Sequence, residues 1–231
     1  MMTDFKKYWA VAKVNFKHTT WIAYLVAAIC MAAVAVDMVL DRTLNNVGDA
    51  SIAIYSILYL ICILAPIFIA SVNYAKLTNI GVKRKQFFYG CVINYLVFAA
   101  AISLLGVLET YLLDGYLNTS GSTVYGLVEV FGWNSNIFTA FFSQFAFLLL
   151  TESIIHTLTF MQTKWYGWVA DAVIVIIISV FTPIPVLRRA EVWFFNQIIF
   201  AKPAIIQIAS CLALSVGFYL TNLFYLKKRD S

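Results

Sequence analysis

A chain of 231 residues that is 62% hydrophobic and 12% charged has more apolar surface than a soluble domain of that length can hide. This excludes an ordinary soluble enzyme and points to an all-α integral membrane protein. The net charge of +5 invites a nucleic-acid reading, but the Lys and Arg residues sit at the ends of apolar runs, where they report membrane topology and a weaker attraction to anionic lipid.

Six apolar runs reach or approach the roughly 20 residues needed to cross a bilayer. They account for nearly all of residues 1–231, which therefore read as a single membrane domain with no room for a soluble catalytic domain. Residues 4–17 read as an amphipathic helix lying in the membrane interface. Phe5, Tyr8, Trp9, Ala12 and Phe16 share one face, with Lys6, Lys13 and Lys17 beside it. Span one follows at 20–40 and span two at 51–72, joined by a short, weakly acidic connection. A charged, aromatic helix precedes the first run and no small-residue cleavage site follows it, so it is not read as a signal peptide. Residues 73–88, NYAKLTNIGVKRKQFF, form a basic elbow in which Gly81 ends a helix and Lys83, Arg84 and Lys85 precede span three at 87–107. Residues 108–136 read as a polar loop with Glu109, Asp114 and Glu129 and no Lys or Arg. Span four covers 137–160 and span five 168–181, the latter interrupted at its far end by Pro183 and Pro185. Residues 183–203 mix charge with the Trp193-Phe194-Phe195 cluster and suit a re-entrant segment. Pro203 then opens span six at 204–226.

With the N-terminus inside, 12 of 16 basic residues fall on the inner side, which puts both termini in the cytoplasm. All six tryptophans fall near predicted interfaces, as an aromatic belt requires.

Few residues offer chemistry. Ionisable groups inside a bilayer are costly and mark functional candidates. Span four carries Glu152 and His156 one turn apart, with Gln144, Thr151 and Thr159 on the same broad side. Span five carries Asp171, at a depth similar to that of His156 if the two spans are antiparallel neighbours. These residues read either as a polar seam lining a substrate path or as polar contacts that fix two helices together. Asp37 sits at the outer rim, where a solvated structural role is expected. Cys30, Cys62, Cys91 and Cys211 lie in four different runs, without metal-ligand spacing or a disulfide framework. The chain has no phosphate-binding G-x-x-x-x-G-K-[ST] loop, no G-x-S-x-G elbow and no H-E-x-x-H, so neither ATP binding by this chain nor an intramembrane protease is supported.

The elbow and the layout together resemble the bacterial permease subunits of the type-2 ABC exporter family. Gly81, Arg84 and Phe87 match the family's pattern of a glycine, a basic residue and aromatics entering span three. The interfacial helix, six spans, inward termini and dipping segment before span six extend the likeness over nearly the whole chain. The resemblance implies a permease that pairs with a second permease subunit, identical or related, and docks on a separate ABC ATPase. ATP and Mg would be bound there and no cofactor on this chain. Leu77, Ile80, Gly81, Lys83, Arg84 and Lys85 would then form the ATPase-coupling surface. The implied cargo is hydrophobic or amphipathic: a peptide, drug or lipid. The alternative is a non-transport sensor or immunity protein that binds a membrane-active peptide.

Overall fold

The computed structural model describes the backbone of residues 2–44, 54–120, 136–162 and 164–228, and the side chains of 5–29, 31–32, 57–108, 136–162 and 164–224. The described chain is all-helical. Helix α1 runs Met2–Leu44, α2 Ile54–Phe68, a π-helical segment Ile69–Asn73, α3 Tyr74–Asn79, α4 Arg84–Ser120, α5 Ile137–Met161, α6 Trp165–Phe181, α7 Pro185–Phe195, a second π segment Asn196–Phe200, and α8 Ala204–Lys228. Four stretches are long and apolar enough to cross a membrane: Ile57–Asn79, Arg84–Leu108, Ile137–Met161 and Ala204–Phe224. The bent pair Trp165–Phe181 and Pro185–Phe200 makes a fifth if it is one span. This is the composition of a multi-pass membrane protein.

Several expectations change. The helix expected at 4–17 is not a separate element. It continues without a break into the expected first span, because the chain has no glycine or proline before Gly48. Its aromatic residues divide between the protein and the outside: Tyr8 packs on Tyr89 and Phe16 on Phe98. Phe5, Trp9 and Phe16 are exposed, while Val11 and Ala12, then Asn15, Thr19, Ile22 and Val26 at steps of three or four, form the buried stripe. The side chains of 33–44, including Asp37, lie outside the described residues, and α1 is not among the four stretches. Much of the expected loop at 108–136 is instead the end of α4, which reaches Ser120. Leu108, Leu112 and Tyr116 recur at helical spacing there, with no proline to stop it. Glu129 and Trp133, in the rest of that loop, lie outside the described residues. The expected fifth span becomes one arm of the bent pair, which turns by 117° at its break. Pro185 takes the first turn of α7 and forces Ile184 into extended backbone (φ −92°, ψ 114°).

Helix α5 lies at the centre, packed against α8, α4 and α2, while α1 packs on α4 and α2. The main core gathers Ile22, Val26, Cys62, Ile69, Phe87, Cys91, Tyr95 and Leu149. In lipid, helices are held together by close van der Waals contact rather than by a hydrophobic drive between them. Gly90 provides such a contact: a Cβ there would meet Val11 Cγ1 at 2.7 Å, so α1 and α4 approach closely at this point. Ring contacts Tyr8–Tyr89, Tyr74–Phe87, Tyr74–Phe160 and Phe88–Tyr219 gather the start of α1, the elbow, the end of α5 and the later part of α8 at one end of the bundle. Lys6, Lys13, Lys76, Lys83 and Lys85 are exposed on these same elements.

Candidate functional sites: the elbow and a buried polar seam

The elbow is a tight helix-to-helix turn whose first residues extend span two. Helix α3 ends at Asn79, and Gly81 follows with φ +88°, a left-handed conformation that suits glycine. The Gly81 amide donates to Thr78 O and the Val82 amide to Leu77 O, each at 3.0 Å. This pair of bonds is the Schellman arrangement that satisfies carbonyls at a helix end. Leu77 is buried and Val82 packs on the core, supplying the apolar contact that accompanies it. Helix α4 opens at once: the Lys83 amide donates to Gln86 Oε1 at 3.2 Å, which is the return half of a capping box. The turn is thus anchored from inside, while its tip points outward. Ile80 is 76% exposed, Lys83 and Lys85 are exposed, and Arg84 is half-buried.

Behind the turn, the π segment ends at Asn73, which is buried. Asn73 Nδ2 donates to Asn15 Oδ1 at 3.4 Å, and Asn15 Nδ2 to Cys91 Sγ at 3.7 Å. These bonds link the starts of α1 and α4 to the end of span two. A π segment is often found at functional positions.

The second site is a line of polar side chains on α5. Gln144, Glu152 and His156 share one face at spacings of eight and four residues, and all three are completely buried. Gln144 Nε2 donates to the Tyr59 hydroxyl on α2. His156 Nδ1 shares a 2.7 Å hydrogen bond with the Tyr95 hydroxyl on α4, the donor depending on the tautomer. Glu152 lies between them. The Cys62 thiol is beside its carboxyl group without reaching hydrogen-bond geometry, and Tyr95 and Tyr219 are within electrostatic reach. Neither Glu152 oxygen has a hydrogen-bond partner among the described residues, nor do His156 Nε2, Gln144 Oε1 and the Tyr219 hydroxyl. The His156 ring faces Phe160 at 5.0 Å, Tyr95 at 5.3 Å and Phe88 at 6.3 Å.

Of the sequence candidates, Gln144, Glu152 and His156 therefore belong together, and Asp171 does not join them. Asp171 is half-buried near the α5–α6 turn, where Gln162 Nε2 donates to its Oδ2 at 3.0 Å. The reason is geometric: α6 is exposed along nearly its whole length, so its residues do not face the seam. Thr151 and Thr159 bond back to Phe147 O and Ile155 O of their own helix. Sequence reasoning missed Tyr59, Cys62, Tyr95 and Tyr219, which read as ordinary apolar-run residues, and the asparagines at 15 and 73. An amide or phenol in the middle of an apolar run was the available signal, because each must find a polar partner when buried. Gln207 is of this type too. Its Nε2 donates to Ser143 O at 3.3 Å and Ile198 O at 3.1 Å, tying α8 and the second π segment to α5.

Comparison of the chain with known protein families, with curated proteins and with solved structures found no match.

Proposed function

We propose that the chain is the permease subunit of an ATP-driven exporter of the type-2 ABC kind, set in the cytoplasmic membrane of a bacterium with both termini inside. In this reading six spans cross the bilayer. Helix α1 supplies the first, and the α6–α7 pair supplies the fifth span and a re-entrant arm. Two permease subunits pair around the cargo path, and ATP with Mg is bound and hydrolysed on separate ATPase subunits. The cargo is hydrophobic or amphipathic, in keeping with an apolar interior containing few charges.

The elbow is the observation that supports this reading. A transmitting element must be stiff, must be joined to spans on both sides, and must present side chains to a soluble partner. Leu77 and Val82 fix the elbow in the core, and the amide bonds at Gly81 stop one helix within four residues of the next. Ile80, Lys83 and Lys85 stand at its tip, a greasy knob among cations that suits an acidic-rimmed groove on an ATPase. A push on this tip would move α2–α3 and α4 as one unit.

The test is a gentle nanodisc pull-down of the tagged chain from its native membrane, with identification of what co-purifies. Recovery of a soluble ATPase at one per permease, and its loss on replacing Lys83, Arg84 and Lys85 together by Glu, is the expected result. Reproducible absence of an ATPase from intact, monodisperse wild-type protein would overturn the reading in favour of a sensor or immunity protein.

A further inference from the structure

The seam on α5 has an unequal set of hydrogen-bonding groups. Among the described residues, its atoms without a hydrogen-bond partner are the two carboxyl oxygens of Glu152 and the amide oxygen of Gln144, together with the Tyr219 hydroxyl and His156 Nε2. The Gln144 amide oxygen only accepts, and so do the Glu152 oxygens once the carboxyl group is ionised. Buried polar atoms are nearly always satisfied, and a carboxyl group at membrane depth with neither oxygen bonded is a costly arrangement that marks function. A cationic donor, which would hold Glu152 in its carboxylate form, is the partner that suits these oxygens. Among the described residues no group of three or more His, Cys, Asp and Glu could hold a metal ion.

The surroundings narrow the choice. On the elbow side of Glu152 stands an aromatic group built from three helices. His156 lies 5.3 Å from Tyr95 and 5.0 Å from Phe160, and Phe88 lies 6.0 Å from Tyr219. A carboxyl group with aromatic faces nearby is the chemistry that recognises an organic ammonium, by charge-assisted hydrogen bonds and by cation–π attraction. We propose that the Glu152 cluster binds the primary ammonium group of a hydrophobic amine, with Glu152 accepting its N–H bonds and the rings of Tyr95, Tyr219 and Phe88 against its apolar part. The side chains at the centre are completely buried, so entry requires α2, α4 or α8 to part from α5. The inference rests on the exporter reading only for its meaning as a cargo site; the binding itself requires no ATPase.

The experiment uses the full chain in phosphatidylcholine nanodiscs and radiolabelled adamantan-1-amine, a compact hydrophobic primary amine, with adamantan-1-ol as its uncharged counterpart. Saturable binding of the amine, little competition from the alcohol, and a loss of about tenfold or more in affinity in Glu152→Gln are expected, since hydrogen bonds to a charged group are among the stronger kinds. Glu152→Asp should retain part of the binding. Purely non-saturable partition, equal competition by the alcohol, or full binding by a folded Glu152→Gln variant would overturn the proposal. The alcohol comparison is made on the wild-type chain and decides the matter even if the variants do not fold. Failure here would leave the ATPase pull-down result standing, and the reverse also holds.

Discussion

Gly81→Ala isolates one physical term. Gly81 has φ +88°, and a Cβ placed there would meet nothing within 4 Å, so the substitution introduces strain without collision. Holding an L-residue in the left-handed region costs about 1–2 kcal/mol. Alanine also narrows the unfolded chain, which offsets about 0.4–1 kcal/mol of that. The net expectation is a loss of about 1 kcal/mol, close to a fivefold drop in the folded-to-unfolded ratio. Asparagine visits the left-handed region readily and should cost less than alanine, while a β-branched valine should cost more. The assay is denaturant unfolding in mixed micelles, followed by tryptophan fluorescence and by circular dichroism. The expected order of stability is Gly, then Asn, then Ala, then Val. An alanine variant as stable as the wild type, with asparagine below it, would show that the elbow does not depend on the left-handed turn. The proposed stiffness of the elbow would then lose its basis.

Gly90→Ala tests the opposite term, a collision with no unusual φ. Its Cβ would lie 2.7 Å from Val11 Cγ1 and 3.3 Å from the Ala12 amide nitrogen, so a loss of about 1–3 kcal/mol is expected, partly recovered in the double variant with Val11→Ala. Absence of any recovery in that double-mutant cycle would place the cost elsewhere. Glu152→Met should stabilise the resting fold by about 1–3 kcal/mol, because it replaces an unsatisfied buried carboxyl group with an apolar chain of similar length; a lower denaturant midpoint would show that the carboxyl group is satisfied. Tyr95→Phe removes the 2.7 Å partner of His156 Nδ1 and should cost about 1–3 kcal/mol, measured in the same unfolding assay. A cost that persists unchanged when His156 is also replaced by Leu would mean that the bond is not its source.

The elbow was legible in the sequence because its signals are local: a glycine past a helix end, then cations, then aromatics entering a run of membrane length. Turn chemistry of this kind is decided within a few residues. The polar stripe of Gln144, Glu152 and His156 was legible for a related reason, since fourfold spacing on one helix places residues on one face whatever surrounds it. The partners of that stripe were not legible. Tyr59, Cys62, Tyr95 and Tyr219 come from three other helices, and only the packing of those helices decides that they meet Gln144, Glu152 and His156. Asp171 shows the converse error. Its depth in the sequence matched that of His156, but α6 is exposed along nearly its whole length, and the direction a helix face takes is invisible in a hydropathy pattern. The aromatic face expected at the start of α1 is divided for the same reason: Phe5 and Trp9 are exposed, while Tyr8 and Phe16 meet Tyr89 and Phe98 of α4. An apolar stripe shows that one face avoids water, and in a membrane protein both lipid and protein meet that demand.

The exposure of α6 also divides the molecule mechanically. Gly167 is its one buried residue among those described, and a Cβ there would sit 2.3 Å from the Met161 carbonyl oxygen; at its far end Thr182 Oγ1 donates to Glu191 across the bend at 3.4 Å. Between those two points α6 is largely exposed, held by the Asp171–Gln162 bond near its start. Helix α5 is the reverse: any shift drags Gln144, Glu152 and His156 past three neighbours. Helix α5 is thus the mast of the bundle, and α6 is a boom fastened at its two ends.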